Sequence, residues 1–445
     1  MRAKAEVNGT GVGNLMMFAG LLAVLVISAG LALTFTKPAH ADTTFTVTST
    51  ADPGNGVCDI VCTLREAITA ANDTPGRDTI NFRLSNTGEV RTITPTSELP
   101  GVTESVTIDG YSQLGSTPNT LDKGTNAVLK VQLDGSNAGF ETSGLVIDGA
   151  DNVVVRGLVV NRFDTSGIRI RAGGSSNRIE GNFLGTDSSG TLDLGNGNGV
   201  SLNGNSNVVG GGSPDDRNLI SGNSRGVSLT PGAAGTKVQG NLVGTEKGGT
   251  VPLGNEFEGV AMTEAKHNLI GGSGLGEANT IAFNGSHGVS VVSFLSEFDG
   301  TGNRILANSI FSNGGLGIDL EGGTENAAGA TANDPKDPDS GPNDLQNKPI
   351  VTSAKTVGGK TTVLAKLNST PRDAFVVEFF SNPSANEGKK FMGDKAVSTD
   401  ADGNVAFTFV PSQAVPAGQR ITATATNAVD ANTSEFSAPR TVVAQ

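Results

Sequence analysis

The sequence predicts an all-β chain: a right-handed parallel β-helix with an N-terminal capping helix and a C-terminal immunoglobulin-like β-sandwich. Three observations lead there. The pattern Gly–apolar–x–apolar recurs along the middle of the chain, beginning at Gly144, Gly167, Gly199, Gly226, Gly259, Gly288 and Gly317. Asparagine recurs in register with it. Glycine reaches 62 of 445 residues, tryptophan is absent, tyrosine occurs once and only 17% of residues are charged. Strand side chains alternate, so each pattern is a short strand with two apolar side chains on one face. A steady spacing of this kind is the signature of stacked repeats. A thin core shared along such a stack needs no more than the 36% hydrophobic content found.

Residues 1–41 read as an export signal. Arg2 and Lys4 precede an apolar run from Leu15 to Phe35, and Ala39-His-Ala41 sets small residues before a cleavage point between Ala41 and Asp42. The run is also about long enough to span a bilayer, so an uncleaved anchor is the alternative. In either case the body is exported, to be secreted or held at the cell surface. Losing Arg2, Lys4, Lys37 and Glu6 with this segment leaves 28 Lys and Arg against 43 Asp and Glu, a net charge of −15. Such a surface repels phosphate backbones and anionic lipid, which argues against nucleic acid and against membrane contact beyond the signal.

Residues 42–89 form the capping module. Phe45-Thr-Val-Thr48 alternates as a strand. The only cysteines, Cys58 and Cys62, predict a local disulfide in an exported protein. With no histidine nearby they cannot complete a zinc shell. Thr63 and Glu66 make a capping box, and Leu64, Ala67, Ile68 and Ala71 fall on one helical face. A helix over the open end of a β-stack hides unpaired backbone. The run Cys62-Thr-Leu-Arg-Glu-Ala-Ile68, followed by Ala71-Asn72, resembles the Cys-Ser-Leu-Arg-Glu-Ala module of exported bacterial proteins, with Thr63 where the module has Ser. That resemblance implies right-handed parallel β-helix repeats downstream and a small C-terminal sandwich. It implies no particular activity.

Residues 90–330 carry the solenoid. Its first turns are Arg91-Thr-Ile-Thr94, Val106-Thr-Ile108, Leu129–Leu133 and Val153-Val-Val155. Further on the repeat is double: the evenest spacing joins glycines two coils apart, Gly167 with Gly226, Gly199 with Gly259, Gly226 with Gly288 and Gly259 with Gly317. One coil type projects a polar loop (185–196 and 244–255), the other a Gly-rich loop. Three short strands per coil without a helix indicate a β-helix rather than a βαβ stack, and connection chirality makes it right-handed. Asn182, Asn218, Asn241, Asn279 and Asn308 each stand two residues before an apolar position, and Asn177, Asn207, Asn268 and Asn303 form a second series broken by Thr236. Asparagine suits turns, and stacked amides can run as a ladder.

Carbohydrate chemistry is the function class that fold analogy brings in, because pectate-lyase-like solenoids include lyases, polygalacturonases and epimerases. The middle residues of the seven strands, Val146, Arg169, Ser201, Ser228, Ala261, Ser290 and Asp319, are expected to face outward. That row holds one carboxylate, whereas glycoside hydrolysis needs two. The candidate catalytic groups are Arg169, Arg171, Asp187 and His287. The bland alternative makes the arginines a solvated basic spot beside Asp187 and Glu180. A missing aromatic platform in the repeats argues against sugar stacking there.

Residues 331–345 form an acidic Pro/Asp linker in which Asp337, Asp339, Asn343 and Asp344 are candidate ligands for a structural calcium ion. No other cofactor is indicated. Residues 346–445 alternate as Thr361–Leu367, Phe375–Phe380, Val405–Val410 and Ile421–Thr426, the spacing of an immunoglobulin-like sandwich. The leading expectation is a noncatalytic, monomeric surface scaffold whose loops contact extracellular polysaccharide or another surface protein. The rival is a lyase or glycoside hydrolase acting on acidic polysaccharide.

Overall fold

A computed structural model describes residues 42–294, 300–326 and 329–444. The expected export signal, with Ala41, lies outside them. The seven Gly–apolar–x–apolar stretches all become strands of one parallel sheet, from Ser143–Ile147 through Asn198–Leu202 to Ile318–Glu321. Their register is the sequence repeat itself: Val200 pairs with Val227 and Leu202 with Leu229. A second parallel sheet of eight strands runs from Arg91–Ile93 to Ser309–Phe311, and a third of nine from Thr44–Val47 to Arg304–Leu306. From Val106 onward each coil visits all three sheets, which makes the body a parallel β-helix.

The repeat follows from packing. Ile168, Val200, Val227, Val260 and Val289 are fully buried and stack along one line of the core. Each such side chain contributes roughly 1.5–3 kcal/mol on burial. The leading glycine is steric: a Cβ on Gly199 would lie 2.5 Å from Ile220 Cγ2, and one on Gly226 2.8 Å from Val243 Cγ1. At that corner two sheets close on each other and only hydrogen fits.

Thr44–Val47 and Asp78–Phe82 are the first two strands of the nine-stranded sheet, so residues 42–89 are continuous with the coils. Between them stands the helix Leu64–Asp73, whose capping box is formed by Thr63 and Glu66. Its Leu64, Ala67, Ile68 and Ala71 join the core that continues through the coils. Cys58 and Cys62 are disulfide-bonded.

The asparagines run as ladders. Asn182 Nδ2 donates to Asn218 Oδ1 at 3.2 Å, Asn218 to Asn241 at 2.9 Å, Asn241 to Asn279 at 3.0 Å and Asn279 to Asn308 at 2.9 Å. The second series is interrupted where expected: Thr236 N–H donates to Asn268 Oδ1, but its buried hydroxyl has no hydrogen-bond partner. A third ladder, Asn196, Asn223, Asn255, Asn284 and Asn313, adds to the two expected series.

The C-terminal residues form two four-stranded sheets around their own core of Val363, Leu367, Phe375, Phe379 and Ile421. All four expected strands are there. Besides the short edge strands Arg440–Thr441 and Val443–Ala444, two longer ones join them: Ile350–Val357, which carries a bulge, and Lys390–Ser398, whose side chains are exposed or half-buried on both faces. Neither alternates cleanly, which is why patterning misses them.

This unit closes the last coil. Phe380 and Phe436, in edge-to-face contact at 5.3 Å, belong to the solenoid core. Where a further coil would accept hydrogen bonds, glutamates do: Ala307 N–H donates to Glu378 at 3.0 Å, Asn313 Nδ2 to Glu387 at 3.0 Å, and Thr331 N–H to Glu435 at 3.0 Å. Residues 331–345 are part of that junction rather than a free linker. Leu345 is in the core, and fully buried Asn343 takes the next position after Asn303 in the second ladder.

Candidate functional site

The structure disperses the candidate catalytic residues. Arg169 lies in the outward row of the seven-stranded sheet, five strands from Asp319, about 24 Å at the usual strand spacing. Arg171 pairs with Asp148 at 3.2 Å and Glu98 at 3.7 Å, not with Asp187 or Glu180; Glu180 is taken by Arg178 at 2.8 Å. The expected grouping fails because Asp187 belongs to the 185–196 loop, where its Oδ1 closes the turn. It accepts from Ser189 Oγ and from the N–H groups of Thr191 and Leu192. These bonds outweigh burial and hold its pKa below the usual carboxylate range.

His287 does gain partners. Its Nδ1 accepts from Leu316 N–H at 3.0 Å, and Nε2 lies 3.4 Å from Asp319 Oδ2. Burial pushes Asp319 up to about 6 against the pull of His287. Burial also raises Glu321, two residues on, whose surroundings include Glu258 and Arg225, themselves 2.7 Å apart. Three carboxylates thus share a neighbourhood with His287. The spacing held a signal, since His287 and Leu316 stand one coil apart, as Gly288 and Gly317 do. The outward row is less open than expected: Val146, Ala261, Ser290 and Asp319 are buried, at 2, 6, 1 and 5% exposure.

The oxygen cluster is also rearranged. Asp334, Asp337 and Asp339 bring carboxylate oxygens within 4.8 Å of one another. Asn343 and Asp344 are elsewhere, Asn343 on the Asn303 ladder and Asp344 accepting from Asn432 Nδ2 at 2.6 Å. The backbone turns left-handed at both, with φ of 47° and 50°, which swings them toward the solenoid. Burial drives Asp337 up to about 7, with Asp339 and Asp334 adding to the rise. Among the described residues, Asp339 Oδ1 is buried without a hydrogen-bond partner. A hard-oxygen donor set of this kind fits Ca²⁺.

A groove of about 690 Å³ runs over the outer face of the eight-stranded sheet. The register explains where it opens. Phe183, Leu219 and Leu242 lie side by side in an outward apolar row, buried with Leu129 and Val159. The row then turns polar at Thr280 and Ser309, and the groove begins. One wall includes Gly248, Gly249 and Thr250 of the 244–255 loop; the other is Lys389, Lys390 and Phe391 of the C-terminal unit. Phe283 and Phe311 meet edge to face at 5.4 Å, and Lys389 Nζ sits 4.2 Å from the Phe311 ring centre. Phe283, half-buried, therefore gives the repeats one aromatic ring at the groove, which the expectation from tyrosine and tryptophan alone overlooks.

No protein-family model matches this chain, and no curated protein matches it. Three phage-derived solved structures align with it at low similarity. Full-length tailspike protein 2 of Escherichia coli O157:H7 bacteriophage CAB120 is 12% identical over 82% of this chain, with a TM-score of 0.23. The chain spans 58% of that tailspike's length. The tailspike protein 2 enzymatically active domain of bacteriophage CBA120 is 9% identical, over 85% of this chain and 73% of that domain, with a TM-score of 0.25. ORF18 of Geobacillus virus E2 is 13% identical, over 83% and 77% of the two chains, with a TM-score of 0.23.

Proposed function

We propose that this chain is an exported, monomeric surface scaffold that holds an extracellular polysaccharide or another surface partner without cutting it. In this reading the coils are right-handed, the helix Leu64–Asp73 caps their start in the manner of the Cys-Ser-Leu-Arg-Glu-Ala module, and an immunoglobulin-like sandwich caps their end. The observation that carries it is the engagement of three of the four candidate catalytic groups by the scaffold. Both His287 nitrogens are taken by Leu316 and Asp319, Arg171 is paired twice, and Asp187 closes its own loop. A general base needs a free nitrogen within hydrogen-bond reach of its substrate. Electrophoresis through gels cast with acidic or neutral polysaccharides tests the reading. Retardation by at least one polymer supports it, and unchanged mobility in all of them sinks the polysaccharide branch.

A second reading, glycan cleavage at Asp319 and Glu321, is favoured by one observation: two carboxylates raised by burial lie close to each other and to His287, with Glu258 and Arg225 beside Glu321. A carboxyl group whose pKa is raised by burial is better suited than an ordinary one to serve as a general acid. Release of reducing ends from a polysaccharide, abolished by Asp319→Asn, would establish it.

A structural calcium ion at Asp334, Asp337 and Asp339 belongs to the same proposal. It would relieve three crowded carboxylates at the junction between the coils and the C-terminal unit. A melting temperature that rises by several degrees with calcium, and not in Asp339→Asn, supports this; identical melts with calcium and with chelator refute it.

A further inference from the structure

The groove over Thr280 and Ser309 combines features that nothing in the coil architecture requires. The chain as a whole carries 44 acidic against 31 basic residues, yet the groove's charged lining is Lys123, Arg217, Lys389 and Lys390 against Asp122 alone. Arg217 is 7% exposed, and its hydrogen bonds all go to backbone carbonyls, those of Leu121, Asp122, Gly124 and Gly240. Its charge therefore reaches the groove floor without a carboxylate bonded to it. Lys389 and Lys390 are exposed above it. Phe283 and Phe391, both half-buried, supply apolar faces beside these cations, Phe311 lies buried beneath Lys389, and Thr280 and Ser309 line the floor. A carboxylated pyranose presents the complement: an apolar ring face, hydroxyls, and an anion for an ammonium.

We propose that this groove binds an acidic oligosaccharide, its uronate carboxylates toward Lys389 and Lys390 and a sugar face against Phe283. The inference rests on the polysaccharide-contact reading and names its site. The coils and the C-terminal unit each contribute one wall, so only the closed junction forms the site.

Calorimetric titration of the whole mature chain with a galacturonate hexasaccharide tests it, with maltohexaose as the neutral sugar and poly-glutamate as the non-sugar anion. The wild type is expected to bind the galacturonate at least ten-fold more tightly than either control. Lys389→Gln/Lys390→Gln, both solvent-facing, should weaken that binding at least ten-fold with an unchanged melting temperature. Phe283→Ala should weaken it several-fold. Equal affinity of wild type and the double lysine variant overturns the groove assignment while leaving polysaccharide contact intact. Equal affinity for poly-glutamate overturns the sugar class. No galacturonate binding overturns the proposal, and the wider reading falls with it only if gel retardation is also absent for every polymer.

Discussion

Replacing Asn241 with alanine tests the ladder that lines one corner of the solenoid. The side chain is 1% exposed. Its Nδ2 donates to Val209 O, Gln239 O and Asn279 Oδ1, and its Oδ1 accepts from Asn218 N–H at 3.3 Å and Asn218 Nδ2 at 2.9 Å. Alanine would not orphan all of these groups. Gln239 O still accepts from Gly211 N–H, and Asn279 Oδ1 from Asn241 N–H. The main losses are at Asn218, fully buried, whose backbone N–H and one Nδ2 hydrogen lose their acceptor while Ile179 O keeps the other. At about 1–3 kcal/mol for each orphaned buried group, the cost is about 2–6 kcal/mol. Equilibrium unfolding in guanidinium chloride measures it from the midpoint, provided the slope is unchanged. Asn205→Ala, at an exposed turn position, should stay within about 0.5 kcal/mol of wild type. An Asn241→Ala midpoint equal to that of the Asn205 control would refute the claim that the amide ladder stabilises the coils.

Three further outcomes follow from the same structure. Thr236→Asn should complete the interrupted ladder by giving Asn268 Oδ1 a second donor and removing the unpartnered hydroxyl, and should raise stability by about 1 kcal/mol; a loss would show that the corner cannot hold the amide. Burial raises Glu378 and Asp337 to about 7 and Asp319 to about 6, so the folded chain holds more protons than the unfolded one between about pH 4 and 7. Stability should therefore fall as pH rises through that window, and Glu378→Gln, which keeps an acceptor for Ala307 N–H, should match wild type at pH 5 but exceed it by up to about 3 kcal/mol at pH 8. Calcium should flatten part of this pH dependence by replacing the protons on Asp337 and its neighbours, which melts at pH 5.5 and 7.5 with and without the ion would reveal.

The coils were largely legible because each is dictated locally. A Gly that admits no Cβ, two inward apolar residues and an Asn at the corner recur at one spacing, and all seven strands fall where that spacing puts them. The third ladder is equally present in the sequence, since Asn196, Asn223, Asn255, Asn284 and Asn313 stand one coil apart, in step with the glycines from Gly199 to Gly317. Asn196 and Asn255 close the polar loops, so the series hides among loop residues. The junction was not legible. Glu378 sits in an alternating strand and Glu387 in a loop, and only partners distant in the chain, Ala307 and Ser312, bury them. The acidic cluster was half legible, since two left-handed residues divert Asn343 and Asp344 from the acids beside them. The groove follows the same division. Phe283 and Phe311 are one coil apart in the repeat, but Lys389 to Phe391 arrive from another sheet.

Hydrogen exchange at the junction tests the central claim, that the C-terminal unit closes the coils into a single body and so completes the groove. The amides of Ala307, Ser312 and Asn313 have no further coil to bond and depend on Glu378 and Glu387. The structure predicts that they exchange as slowly as Asn218 and Asn241 in the middle of the stack. Exchange at the rate of exposed loop amides, with the mid-stack amides still protected, would contradict it.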